Sequence, residues 1–267
     1  MINFIKTLPD VLDEGAPSLA IPSCLGLKVQ IASSLPAPSH IGSISVVETL
    51  KARDRILAFD SLEAAAFHEA AADPHVELIV PRPHRLLANV NLEGQRQMVA
   101  FNPLLLTSGS RGTCAVAVRY SWERAKPHCR EIEAALTRAY RRDHGVKLRW
   151  RTELQLFAEP RRTNRRRLAA CVERADPELT ASIISQLQRS DGRMTVRRLN
   201  RELGGRRGWE KFLELLIPMQ VDGFIELALD RELTERTLVQ LASPHNHPRP
   251  HAVSPHRSGA ASNLELA

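Results

Sequence analysis

The sequence contains no run of roughly eighteen apolar residues, and Met1-Ile2-Asn3-Phe4-Ile5-Lys6 lacks the charged-then-apolar pattern of a secretory leader. Both absences predict a soluble, cytoplasmic protein that does not enter a membrane. Cysteine is scarce as well. The four that occur, Cys24, Cys114, Cys129 and Cys171, form no Cys-x-x-Cys pair, which fits a reducing compartment and argues against structural zinc. What the chain does have is length and apolar content: 267 residues, 43% of them hydrophobic, suffice for two ordinary domains with packed cores.

The net charge of +7 is concentrated in one stretch. Residues 1–60 carry 5 Lys and Arg against 6 Asp and Glu, and residues 61–118 carry 4 against 5. Residues 119–170 carry 15 against 6, whereas residues 171–242 carry 11 against 12. A localised arginine surplus is the electrostatic footprint of a protein that binds phosphate backbones, because each neutralised phosphate releases counterions. A solvated charged face is the alternative reading.

The stretch from Ser61 to Tyr120 organises the chain. Asp60 or Ser61 can cap an alanine-rich helix that Asp73-Pro74 closes. Three β-rich runs follow, His75 to Val80, Arg85 to Val90 and Arg96 to Leu106, the last two joined at Glu93-Gly94. After the turn-prone 107–112, Thr113 to Tyr120 is apolar enough for a central strand. Ser121 to His144 reads as a helix, regular from Pro127 or later, with Ile132, Leu136 and Ala139 or Tyr140 on its apolar stripe and Gly145 as C-cap. Val146 to Phe157 alternates as a half-exposed strand, with Lys147, Arg149 and Arg151 on a basic face.

This order of helix, strand meander, helix and strand resembles the PD-(D/E)xK nuclease core, and in detail the TnsA-type endonuclease subunit of heteromeric transposases. The resemblance implies an α/β (α+β) fold, with a restriction-endonuclease-like mixed sheet flanked by helices. It places the family's early catalytic Glu at Glu63, its Pro-Asp strand at Phe101-Asn102-Pro103-Leu104-Leu105, and its Glu-x-Lys at Ala117-Val118-Arg119. Only Glu63 keeps the family's residue type. The family's chemistry holds Mg²⁺ against the scissile phosphate with oxygen ligands. Leu104 and Ala117 have none, and Arg119 keeps a charge but cannot shuttle a proton. The expectation is a nuclease-like core without cleavage activity and without a cofactor. Mg²⁺ enters only if Glu69, Glu77 or Glu93 supplies relocated ligands, and each of these also reads as a solvent-facing residue.

Residues 159–175 form a basic linker. The TnsA-like family has a segment of this kind between its two domains, so the resemblance makes Arg161, Arg162, Arg165, Arg166 and Arg167 candidate phosphate contacts. A solvated spacer is the alternative. Residues 176–242 read as a small helical winged helix-turn-helix domain. A first helix runs from Pro177 to about Gln188, and a second follows Thr195 as N-cap until Gly204-Gly205 breaks it. A third, Gly208 to Ile217, is the recognition helix, and Phe224 to Leu229 is a wing strand. Residues 189–211 hold 8 basic against 3 acidic side chains, which makes Arg197, Arg198, Arg201, Arg206, Arg207 and Lys211 the candidate DNA contacts. Residues 1–50 read as an irregular arm with one short strand or helix. Residues 243–267, with alternating Pro and His, read as a disordered tail.

The reading that follows is a two-domain protein, nuclease-like over residues 51–158, that binds double-stranded DNA at element ends or docks a DDE-type transposase. Two rivals are an active Mg²⁺-dependent endonuclease and a winged-helix transcriptional regulator.

Overall fold

The computed structural model describes residues 44–84, 86–92, 95–205 and 207–242. The expectations for most of the N-terminal arm, the tail, the Glu93-Gly94 turn and Arg206 lie outside them. The protein is mixed α/β, with mixed sheets flanked by helices.

Strands β1 (Ser45–Val47) and β2 (Ile56–Ala58) form an antiparallel ribbon. β1 falls within the stretch expected to be an irregular arm, yet Val47, Ile56 and Ala58 are buried in the first core cluster. Helix α1 (Ser61–Ala72) starts at Asp60, whose carboxylate accepts from the Glu63 N–H at 2.7 Å. Its small alanines let it lie close to the sheet, and Leu62, Phe67 and Ala71 are buried beneath it.

The central sheet has four strands in the order β3 (Val76–Pro81), β6 (Leu105–Gly109), β7 (Cys114–Val118), β8 (Lys147–Arg151). The first two pairings are antiparallel and the last is parallel. Parallel pairing needs a crossover, which α2 (Ser121–Arg124) and α3 (Cys129–His144) supply. Alternation along the strands gives the sheet two cores. Leu105, Val116 and Val118 pack toward α1, while Leu106, Ala115, Ala117 and Leu148 pack toward α3.

The structure differs from the sequence reading at several boundaries. Arg96 to Leu106 is not one strand. β5 (Gln95–Phe101) pairs with β4 (Leu86–Leu92) in a separate ribbon, and the chain breaks at Asn102-Pro103 before β6, since proline has no N–H for a ladder. β6 also runs into the supposed turn as far as Gly109. A Cβ there would lie 1.9 Å from the His75 carbonyl oxygen, so only glycine permits the approach. The strand expected over 146–157 stops at Arg151. Thr152 begins α4 (Glu153–Leu156), and Gln155 Oε1 accepts from the Thr152 N–H at 3.2 Å.

The basic segment after it contains a helix, α5 (Arg161–Ala169), packed against α1 and α8 (Trp209–Val221). Buried Asn164 donates through Nδ2 to the carbonyls of Leu229 (3.0 Å) and Arg231 (2.7 Å), which ties α5 to the C-terminal unit. Ala72, Leu168, Ile217 and Val221 make a small core where α1, α5 and α8 meet.

In that unit α6 (Pro177–Gln188) spans the range expected for the first helix, and α7 (Val196–Glu202) begins after the expected cap Thr195. Asp176 accepts from the Leu179 N–H and Thr195 from the Arg198 N–H. A three-stranded antiparallel sheet, in the order β10 (Ile225–Leu227), β11 (Leu238–Leu241), β9 (Arg193–Thr195), closes the unit. β9 and β11 are short strands that the sequence pattern did not reveal, and β10 is shorter than the Phe224–Leu229 strand expected there.

Candidate functional site

Glu63 sits in the first turn of α1 and is engaged there through one carboxylate oxygen. Its Oε2 accepts from the Phe59 N–H at 2.8 Å and from Arg82 Nη2 at 2.5 Å. The Arg82 guanidinium in turn lies over the Phe59 ring, 4.5 Å from its centroid. The carboxylate holds the backbone just before the Asp60 N-cap and neutralises one arginine, and its side chain is only 18% exposed.

The other motif positions do not gather around it. Leu104 belongs to the α1-facing core with Leu62, so it lies on the same face as Glu63. Ala117 points to the α3-facing core. Arg119 also turns to the α3 side: its Nη1 donates to Cys129 Sγ at 2.5 Å and lies 3.6 Å from Glu133, and its guanidinium sits over Trp150. The residues of β7 that face α1 are Val116 and Val118. Strand alternation therefore separates positions that the resemblance would bring together, and neither face of β7 offers oxygen at this point.

Glu69, the relocated ligand considered above, is held between two guanidinium groups, Arg151 Nε at 3.0 Å and Arg165 Nη2 at 2.7 Å. Glu77 is exposed, and Glu93 lies outside the described residues. The donor set does not fit Mg²⁺, which requires several free oxygen ligands. Among the described residues no three His, Cys, Asp or Glu side chains are gathered where they could hold a metal ion.

The arginines that hold Glu69 line a cleft of about 610 Å³. It is bounded by α1, the α1-facing side of β7 and β8, α5, and β10. Arg149 and Arg151 alternate onto the same face of β8, and Arg161 and Arg165 lie one turn apart on α5. Two electrostatic effects trace the basic side chains of α5 and β8, the first from arginines outside the cleft. Burial lowers the His68 pKa, and Arg166 and Arg162 lower it further. Burial raises the Cys114 thiol, while Arg149, Lys147 and Arg151 pull it back down.

The remaining candidates fall on two surfaces. On α5, Arg161, Arg162, Arg166 and Arg167 are exposed, with Arg162 over the Phe157 ring and Arg167 3.9 Å from Glu214. Arg165 is mostly covered. On the C-terminal unit, Arg197, Arg198 and Arg201 project from α7, Arg207 from the following loop and Lys211 from the start of α8. Arg197 pairs with Glu235 at 3.3 Å.

The helix expected to read DNA behaves differently. From Leu216 to Val221 α8 is wholly buried, in part at the junction with α1 and α5, and its exposed charges are Glu210, Lys211 and Glu214. The basic outward face belongs to α7. Lys51, in the loop between β1 and β2, is also buried. Burial lowers its pKa to about 8, and its Nζ donates to the Asp73 carbonyl at 2.6 Å.

No protein-family model matches the chain, and no curated protein matches it. No helix among the described residues is long and apolar enough to cross a membrane.

Proposed function

We propose that this protein is a DNA-binding, TnsA-like transposition-associated subunit whose nuclease-like core does not cleave DNA. It would hold double-stranded DNA at an element end or dock a DDE-type transposase that does the cutting.

The observation that carries the reading is the four-stranded sheet. Two antiparallel pairings are followed by a parallel strand, with α1 on one face and a crossover through α3 on the other. This order supports the reading of a restriction-endonuclease-like core. The unit that follows, with the order α6, β9, α7, α8, β10, β11, supports a winged helix. The absence of cleavage rests on chemistry. Glu63 Oε2 is taken by the Phe59 N–H and by Arg82, and the other positions that would face it are Leu104, Val116 and Val118.

The test is binding of a fluorescent duplex across a salt series. The reading predicts log affinity falling linearly with log salt. Reversing charge at Arg197, Arg198 and Arg201 together should cut affinity by at least about tenfold. Failure of the wild type to bind any duplex at low salt would sink the DNA-binding part.

A further inference from the structure

We propose that the cleft between β8 and α5 is a phosphate-binding site built from Arg149, Arg151, Arg161 and Arg165. The assignment goes beyond the DNA-binding reading and stands without it, because it rests on the balance of charge inside the cleft.

Two guanidinium groups hold the Glu69 carboxylate, and two more, Arg149 and Arg161, line the same cleft. Glu69 takes one nitrogen from Arg151 and one from Arg165, and these three side chains are only 17–30% exposed. Arg165 Nη1 is buried with no hydrogen-bond partner among the described residues. A buried guanidinium nitrogen left unmatched is costly. Arg149 and Arg161 are exposed and form no ion pair among the described residues. These four arginines and Glu69 carry a surplus of three positive charges on one side of the cleft, and Arg111 with the carboxylates Asp73, Glu226 and Asp230 brings the whole lining to a surplus of one.

Of the other acidic lining residues, two are engaged and one is open to solvent. Glu226 lies 3.5 Å from His75 Nε2 and accepts from Gln240 at 3.1 Å, Asp73 accepts from the His75 N–H at 2.9 Å, and Asp230 is exposed at the rim.

Arginine forks match a tetrahedral phosphate through paired N–H donors, and two rows converging from a strand and a helix can grip it from both sides. The cleft volume accommodates more than one phosphate with its ester substituent. The phosphate could belong to a nucleic-acid backbone or to a small phosphorylated molecule.

The experiment uses the full chain, wild type and two variants, Arg149→Ala/Arg161→Ala and Glu69→Gln. The double variant removes exposed side chains and leaves Glu69 paired, so it should fold, which circular dichroism checks. One arm measures duplex affinity against salt, and the other the thermal shift produced by inorganic pyrophosphate. The double variant should lose about tenfold in duplex affinity, and its salt slope should fall by about two. Its pyrophosphate shift should disappear, whereas Glu69→Gln, which removes the competing carboxylate, should strengthen binding in both arms.

A loss confined to the duplex arm identifies the backbone as the source. A loss confined to the pyrophosphate arm identifies a small phosphorylated ligand. If the wild type binds no duplex but shows a pyrophosphate shift that the variant lacks, the DNA-binding reading fails and the cleft assignment survives. If the double variant matches the wild type in both arms, the assignment is overturned.

Discussion

The two faces of the four-stranded sheet use charge in opposite ways. Toward α3, polar groups are sealed. Glu133 is 4% exposed between Arg124 at 2.8 Å and Arg119 at 3.6 Å, and His84 is 4% exposed, stacked on Tyr140 with ring centroids 5.3 Å apart. Toward α1, Glu63 is closed by Arg82, but around Glu69 the arginines outnumber the carboxylate and open into a cleft. Charge that is matched locally serves the fold, and charge left in surplus is free to serve a ligand. A glutamate's place in a motif does not decide between these roles; its neighbours do.

This contrast can be broken by perturbing each face in turn, and the largest effect lies on the α3 side. Burial, with the nearby His144 adding to it, lowers the His84 pKa from 6.5 to about 4. Between those values the unfolded chain takes up a proton that the folded chain refuses. Stability present above pH 6.5 is therefore lost as pH falls toward 4. At 1.36 kcal/mol per unit this amounts to about 3 kcal/mol. Urea unfolding at a series of pH values should show a fall that is shallower by this amount in His84→Phe. Equal pH dependence in the two proteins would contradict the buried neutral imidazole.

Glu133→Ala comes next. It leaves Arg119 and Arg124 without their shared carboxylate, and because both are partly open to water the expected loss is about 2 kcal/mol by chemical denaturation, with duplex affinity unchanged.

On the α1 side the effects on stability should be smaller. Glu63→Ala removes an N-terminal helix contact and the Arg82 pair, and should cost about 1 kcal/mol. Arg149→Ala should leave the unfolding midpoint within about 0.5 kcal/mol of wild type. A stability loss at Arg149 as large as that at Glu133 would erase the distinction between the faces.

Local signals in the sequence located many of the elements. Asp60, Asp176 and Thr195 each have a side chain suited to a cap, and Gly145 takes the left-handed C-cap of α3 with φ 66°. The break at Asn102-Pro103 was harder to see, because the apolar residues on either side continue the β pattern and only the strand pairing separates them. β9 and β11 have three and four residues, too few to show a period of two. The end of α8 was missed because its apolar run continues through Pro218 into the junction.

The site was legible in parts. Arg149 and Arg151 show in the alternation of β8, and Arg161 and Arg165 in the arginine run. That Arg151 and Arg165 meet at Glu69, with Arg149 and Arg161 in the same cleft, depends on α5 folding back onto α1, which no local pattern encodes. The separation of Ala117 from Glu63 is also tertiary, since it is set by the register of β7 against β6.

The central claim is that a nuclease-like core here holds DNA without cutting it. Supercoiled plasmid incubated with wild type or Glu63→Ala, in Mg²⁺ and in Mn²⁺ and at a salt concentration where gel shift shows the DNA bound, tests this most directly. The account predicts plasmid that is bound and stays supercoiled with both proteins. Metal-dependent nicking by the wild type that disappears in Glu63→Ala would contradict it and make the protein an active endonuclease.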